Sequence, residues 1–268
     1  MSVVAESNVD GKTLTVAAVQ YDISWLDKQQ NLDTLSQHLD ALTNVDLVLL
    51  PETFSTGFAI DHDGCEEPQD NGLVLDWLKE QASKIQAVVA GSVLVKQGNK
   101  KANRFYWVWP NGDVKFYDKR HLFRLGNEQD FVVQGESREI FVVNGVRILP
   151  LVCYDLRFPV WSRNLQDYDV IVSVANWPAV RRNVWDTLLQ ARAMENQAFV
   201  VGVNRVGDDG KGIGHSGGTA IYDFLGEPVV RAKDDAVEVI QATLDLEKLA
   251  AFKTKFPAYL DADEFKIL

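Results

Sequence analysis

Residues 47–54 read LVLLPETF: four consecutive large apolar residues, a proline, then an acid. An apolar run that does not alternate with polar residues suits a strand covered on both faces. Pro51 stops the run. Glu52 then stands directly beyond the strand's carboxyl end, where α/β sheets present groups to a cleft.

Working outward, Leu14 to Val19 is strand-like, and Leu32, Leu35, Leu39 and Leu42 recur at helical spacing. A second helix is expected over about Leu73 to Ile85, leading into a strand over Ala87 to Val95. Arg104 to Trp109 and Val114 to Tyr117 flank Pro110, Asn111, Gly112 and Asp113, which predicts a hairpin. A second hairpin is expected where Asn144 and Gly145 separate Ile140–Val143 from Val146–Val152, because an Asn-Gly pair supplies the positive φ angles of a tight turn.

Further on, Val170 to Ala175 reads as a buried strand, Trp185 to Ala198 as a helix and Phe199 to Asn204 as a strand. Gly207, Gly210, Gly212, Gly214, Gly217 and Gly218 predict a flexible loop. Strands over Thr219–Tyr222 and Val237–Leu244 follow, with Asp245 placed to cap a short helix. Many strands, few helices and adjacent hairpins favour a layered α/β sandwich with helices outside two sheets, over a closed parallel barrel.

With 46% hydrophobic residues over 268 positions, the chain can fill one sizeable core, and no repeat or long linker divides it. It reads as one domain over residues 1–268, with residues 1–12 as a flexible N-terminal extension. A net charge of -11 without a basic run argues against a nucleic-acid partner. Cys65 and Cys153 are the only cysteines, too few for a disulfide scaffold and in keeping with a reducing compartment. The first dozen residues lack a signal-peptide pattern, and no apolar run approaches the roughly 20 residues of a membrane span. The expectation is a cytoplasmic protein with no membrane partner.

Glu52, Lys119 and Cys153 each follow a strand-like run directly. Singly, each has a bland explanation: a buried small hydrophobe for the cysteine, a cap or ion pair for the acid, a solvated charged patch for the lysine in DKRHLF. Together they form a usable set. A carboxylate can take the thiol proton, a fixed ammonium plus a backbone N–H can hold the charge that develops when a thiolate attacks an amide, and the protonated acid can return its proton to the departing amine. Lys119 and the amide of Tyr154 are the candidate oxyanion donors. The reaction calls for no metal or cofactor, and His38, His62, His121 and His215 lack the spacing of a zinc site. A Cys-His pair using His121 is the alternative.

PETFSTGF, YDKRHLF and LVCYDLRFPVW closely resemble the Glu, Lys and Cys motifs of the nitrilase superfamily of carbon-nitrogen hydrolases. AVQYDISW, AGSV, VANWPA and RAMENQAFVVGVNRVG follow in the family order, and KRHLFR, CYDLRFPVWSRN and FPAYLDADEF are most similar to the omega-amidase branch. The resemblance implies a four-layer αββα sandwich that pairs into homodimers, with Glu52, Lys119 and Cys153 as the triad. It further implies Glu128, in RLGNEQ, as a second glutamate orienting the lysine and substrate. The implied substrate is the terminal amide of a short oxo-dicarboxylic acid monoamide such as 2-oxoglutaramate, giving ammonia and the dicarboxylate. Such a substrate calls for an arginine against its carboxylate, with Arg181 as the candidate and Arg124 and Arg182 as rivals. Phe58, His121, Phe123, Asn176 and Trp177 adjoin the matched motifs and are candidates to shape the pocket. HSGGTAIYD, with Gly217 and Gly218 in succession, departs from the acidic or serine-bearing loop of many relatives.

Two other readings stand beside this one: an amidase for deaminated glutathione or an N-carbamoyl compound, using the same triad, and a non-enzymatic metabolite-binding protein in which Cys153 is structural.

Overall fold

β1 (Thr13–Gln20) sends Leu14, Val16 and Ala18 into one apolar cluster and Ala17 and Val19 into another. This two-residue alternation with no polar face is what a strand between two apolar layers must show. The computed structural model describes residues 12–267. Most of the expected N-terminal extension thus lies outside the described residues; Lys12, its last member, is tied down, its carbonyl accepting the Leu246 N–H at 3.2 Å.

Helix α1 (Lys28–Asp40) starts at Asp27, whose carboxylate accepts the Gln30 N–H at 3.0 Å, and buries Leu32, Leu35 and Leu39. β2 (Leu47–Leu49) pairs in parallel with β1, and Leu47 and Leu49 alternate against Val48 between the same two clusters. α2 (Leu73–Ile85) lies against the outer cluster through Val74, Leu78 and Ala82. β3 (Val88–Gln97) is parallel to β2, and β4 (Lys100–Val108) and β5 (Val114–Asp118) close the sheet antiparallel. The expected turn is present between them, with Gly112 at φ +88° and its N–H donating to the Trp109 carbonyl at 2.9 Å. β2, β3 and β5 consequently run the same way.

After the one-turn α3 (Glu128–Phe131), the second hairpin joins β6 (Phe141–Val143) to β7 (Val146–Val152), with φ +49° at Asn144 and +78° at Gly145. A 3-10 turn over Cys153–Arg157 leads to α4 (Pro159–Ser162), which has its proline at the first helical position. β8 (Val170–Ala175), α5 (Arg182–Asn196) and β9 (Phe199–Asn204) follow, with β7, β8 and β9 mutually parallel.

The glycine-rich stretch expected to be a flexible loop is instead a hairpin. β10 (Val206–Asp208) pairs with β11 (Gly214–Ser216), and at its tip the Asp209 carboxylate accepts the Lys211 and Ile213 N–H groups at 2.8 and 2.9 Å. Glycine there supplies the left-handed angles that the pairing requires, so its density marks turns rather than looseness. β12 (Ala220–Tyr222) joins β9, and β13 (Pro228–Arg231), absent from the sequence reading because it is short and mostly exposed, adds an edge. β14 (Glu238–Asp245) returns to pair with β1, and Asp245 caps α6 (Leu246–Lys255) by accepting the Lys248 N–H at 3.0 Å.

The sheets run β14-β1-β2-β3-β4-β5 and β13-β12-β9-β8-β7-β6. They face each other through the larger cluster, where Trp107 of one meets Phe141 of the other at 5.1 Å between rings. With α1 and α2 outside the first sheet and α5 outside the second, the fold is a four-layer αββα sandwich. Leu14, Leu49 and Leu149 are fully covered in its centre; truncating such a leucine to alanine costs about 2–5 kcal/mol. Among the described residues no helix is long and apolar enough to cross a membrane.

Candidate active site

The carboxyl ends of β2 and β5 meet those of β7 and β8 at one edge of the sandwich, and the residues just past them converge. Glu52 is seated by β3: the Thr53 N–H donates to Ser92 Oγ at 2.9 Å and the Phe54 N–H to the Ser92 carbonyl at 3.2 Å. Gly91 has to lack a side chain here, since a Cβ would stand 2.6 Å from Phe54 Cδ1. Both Glu52 oxygens are engaged. Oε1 accepts from Asn103 Nδ2 at 2.8 Å and Lys119 Nζ at 3.0 Å, and Oε2 from the Asn176 backbone N–H at 2.8 Å.

Lys119 follows β5 immediately and is 1% exposed, and Glu52 and Glu128 are fully buried around it. Its Nζ lies 3.0 Å from each of the two acids. Glu128, which could have passed for a surface acid, is held by the Phe123 N–H at 2.6 Å. Burial alone would pull the Lys119 ammonium down; the charges of Glu128 and Glu52 outweigh it and push the pKa up, so the lysine stays charged. Burial, with repulsion from Glu52, pushes Glu128 up against the pull of Lys119.

Cys153 begins the turn after β7 with φ +48°, a left-handed conformation uncommon for a residue with a β-carbon. Burial and the neighbouring Glu52 push its thiol well above the ordinary range, and Lys119 only partly opposes them. The resting group is a neutral thiol. Glu52 can take its proton as attack occurs, which differs from a thiolate formed in advance.

Glu52, Lys119 and Cys153 line a single cavity of about 770 Å³, its open mouth included. Phe58, Phe123, Tyr154, Asn176, Trp177 and Arg181 line it too, as the sequence reading expected. Phe58 sits over the ammonium, with Lys119 Nζ 5.2 Å from its ring centre, and Phe123 packs edge-on to Tyr154 at 5.2 Å. Asn176 Nδ2 donates to the Glu52 carbonyl at 2.5 Å and to Thr53 Oγ1 at 3.0 Å, tying the Glu52 loop to the end of β8.

His121 is a correction. It is outside the cavity lining, stacked on Phe158 at 3.8 Å, with Nδ1 2.8 Å from Asp155 Oδ1. The aromatic surface of Phe158 and the Asp155 carboxylate claim its ring, so it neither shapes the pocket nor pairs with Cys153. Of the arginine candidates, Arg181 faces the cavity with its guanidinium 5.3 Å from the Phe123 ring centre. Arg182 is held by Asp186 and Asp234, both at 2.9 Å, and Arg124 is outside the lining.

The sequence reading missed Arg157, Lys211 and His215 as cavity residues. Arg157 lies four residues past Cys153 in the same turn, over Trp177 at 5.1 Å. Its spacing from the cysteine was an available signal. Lys211 and His215 come from the β10–β11 hairpin, which as a loop had no assigned place. Lys211 is bound by Asp61, 2.8 Å from each oxygen. Arg157 and Arg181 have no carboxylate partner among the described residues. A thiol, a carboxylate within reach of it, a fixed ammonium and two arginines free to receive an anion can together support covalent attack on an amide of an acidic molecule.

Comparison with known proteins agrees with this chemistry. A family model described as carbon-nitrogen hydrolase matches residues 15–254. Omega-amidase YafV of Yersinia enterocolitica is 44% identical over 96% of this chain and 99% of its own. The 2-oxoglutaramate amidase of Bacillus subtilis (strain 168) is 32% identical over 92% of this chain and 96% of its own. Among solved structures, XC1258 from Xanthomonas campestris, a CN-hydrolase superfamily protein with an arsenic adduct in its active site, superposes with a TM-score of 0.92 at 40% identity, over 96% of this chain and 100% of that one. The chain belongs to the carbon-nitrogen hydrolase family.

Proposed function

We propose that the protein is an omega-amidase, hydrolysing the terminal amide of 2-oxoglutaramate or a close homologue to the dicarboxylate and ammonia through a thioester on Cys153. Glu52 takes the Sγ proton as sulfur attacks the amide carbon. Lys119 Nζ and the Tyr154 backbone N–H receive the oxyanion. The carbon–nitrogen bond breaks as Glu52 hands its proton to the leaving nitrogen; the same carboxylate then draws a proton from water as its oxygen attacks the thioester carbon, and returns that proton to sulfur as the carbon–sulfur bond breaks. Glu128 keeps the ammonium in place. Arg181 and Arg157 take the distal carboxylate.

The observation that carries this reading is the meeting of Cys153, Glu52 and Lys119 in one cavity with two arginines that lack carboxylate partners among the described residues. The relatives named as omega-amidase and 2-oxoglutaramate amidase support the choice of substrate. The test is to incubate the protein with 2-oxoglutaramate and follow ammonia and 2-oxoglutarate together, with Cys153→Ala as control. Equal release of both by the wild type alone supports the reading, and no release removes this substrate.

The same reading places the enzyme in the cytoplasm, where Cys65 and Cys153 stay reduced, and makes it a homodimer. Exposed apolar side chains at Val160, Leu165 and Met194, around α4 and α5, are candidates for the surface buried on pairing. Light scattering at assay concentration separates dimer from monomer.

A further inference from the structure

Asp155 lies two residues past Cys153, fully buried and outside the cavity lining. Its Oδ1 accepts the His121 backbone N–H and the His121 Nδ1–H, each at 2.8 Å. Oδ2 accepts the Tyr117 hydroxyl at 2.8 Å and the Val152 N–H at 3.0 Å. Tyr117 and His121 stand two residues either side of Lys119, and Val152 immediately precedes Cys153. One carboxylate therefore joins the end of β5 to the end of β7.

The surrounding bonds leave it little freedom. Tyr117 commits its single proton to Asp155, because its oxygen also accepts the Arg120 N–H at 3.2 Å and Trp161 Nε1–H at 3.1 Å. The Asp155 carbonyl accepts the Phe158 N–H at 3.0 Å and so closes the turn beyond Cys153. A residue with a β-carbon stays at φ +48° only where its neighbours impose it, and here the imposing bonds pass through Asp155 on both sides.

We propose that Asp155 is a positioning residue that locks the Cys153 turn in its left-handed conformation and fixes its distance from Lys119. It touches no substrate atom. Its loss lets the turn relax, so that sulfur leaves the reach of Glu52 and the Tyr154 N–H leaves the oxyanion position. A misplacement of about 1 Å costs on the order of 100-fold in rate. This rests on Cys153 being the nucleophile, as proposed above, and on no particular substrate.

The test compares Asp155→Asn and Tyr117→Phe with wild type in two measurements: kcat and KM for the amide turned over, and the rate of Cys153 alkylation by iodoacetamide against pH, read at the Cys153 peptide by mass spectrometry. Asparagine offers the donors one acceptor oxygen in place of two, so Asp155→Asn is expected to lose about 30- to 100-fold in kcat with KM near wild type and to change the alkylation profile. Tyr117→Phe, which removes one of the four donors, should do the same to a smaller degree, about 3- to 10-fold. Wild-type kcat and an unchanged profile in folded Asp155→Asn overturn the proposal, as does a rise in KM at constant kcat. Should Asp155→Asn fail to fold, the same outcomes in Tyr117→Phe decide. Failure of the wild type to release ammonia from 2-oxoglutaramate strikes only the proposed substrate, because the alkylation comparison needs no substrate.

Discussion

Glu128 Oε1 stands 3.0 Å from Lys119 Nζ, as close as Glu52 Oε1 on the other flank. The ammonium is held between two buried acids, yet only Glu52 has a place in the proton transfers proposed here. In the proposed mechanism Glu128 fixes the cation where the oxyanion forms. Glu128→Gln keeps a hydrogen-bond acceptor but removes the charge, so kcat should fall about 100-fold with KM near its original value. Steady-state kinetics decide this, and a rise in KM at constant kcat would instead make Glu128 a substrate-binding group.

Glu52→Gln should move two measurements in opposite directions. The Glu52 charge is one of the causes that push the Cys153 thiol up, so its removal lets the thiol ionise at lower pH and alkylate faster at alkaline pH. Amide turnover should drop at least about 1,000-fold, because the base and acid of both steps are gone. Parallel loss of alkylation and turnover would show that Glu52 acts by holding the thiol in place rather than by moving protons.

Much of this site was legible in the sequence, for a local reason. Glu52, Lys119 and Cys153 each follow a strand-like run, and a strand ending at a sheet's carboxyl edge presents its next residue to the cleft whatever the rest of the chain does. The hairpins at residues 110–113 and 144–145 were equally local, since proline, asparagine and glycine state their backbone angles directly. His121, Arg157 and the β10–β11 hairpin were different. Whether His121 turns toward Cys153 or Asp155 depends on the packing of Phe158, and a glycine-rich segment reads alike whether its strands pair or not. The burial of Glu128 was equally hidden, since the groups that hold its carboxylate are a lysine nine residues away in sequence and the Phe123 N–H, brought to it only by the fold.

Arg157 and Arg181 lie over Trp177 and Phe123 and carry no carboxylate partner among the described residues. Charge-assisted bonds from such guanidinium groups are stronger than neutral ones. Arg181→Met and Arg157→Met should each raise KM for 2-oxoglutaramate about tenfold or more and leave turnover of a neutral amide of similar length nearly unchanged. Equal losses on both amides would make the arginines part of the cavity's packing rather than its carboxylate site.

Gly217 and Gly112 separate crowding from backbone strain. Both have positive φ, +79° and +88°. A Cβ on Gly112 meets nothing within 4 Å, whereas one on Gly217 would lie 2.3 Å from Gln20 Oε1. That Gln20 oxygen accepts the Thr219 N–H at 3.0 Å, and its Nε2 donates to the carbonyls of Lys233 and Ala236. Gly112→Ala should cost about 1 kcal/mol from strain alone. Gly217→Ala should cost about 3 kcal/mol or more, because a buried amide network has to give way. Urea unfolding of both variants measures the difference, and equal costs would mean that the Gln20 network moves aside freely.

His215 connects the cavity wall to acid stability. Burial, with the nearby Arg205 guanidinium, pushes its imidazole down to about 4, against a weaker upward pull from Asp209. Its Nδ1 has no hydrogen-bond partner among the described residues, and the residue is 5% exposed. In the unfolded chain the group titrates near 6.5. The folded state therefore binds fewer protons between these values, so the contribution is fully present above about 6.5 and is lost as pH falls through about 4. A shift of that size corresponds to roughly 3 kcal/mol. His215→Gln removes the titration, and its urea-unfolding free energy should fall less steeply than that of the wild type between about pH 6.5 and about pH 4. Identical slopes would mean that the imidazole is as easily protonated folded as unfolded, and that the cavity wall is charged at acid pH rather than neutral.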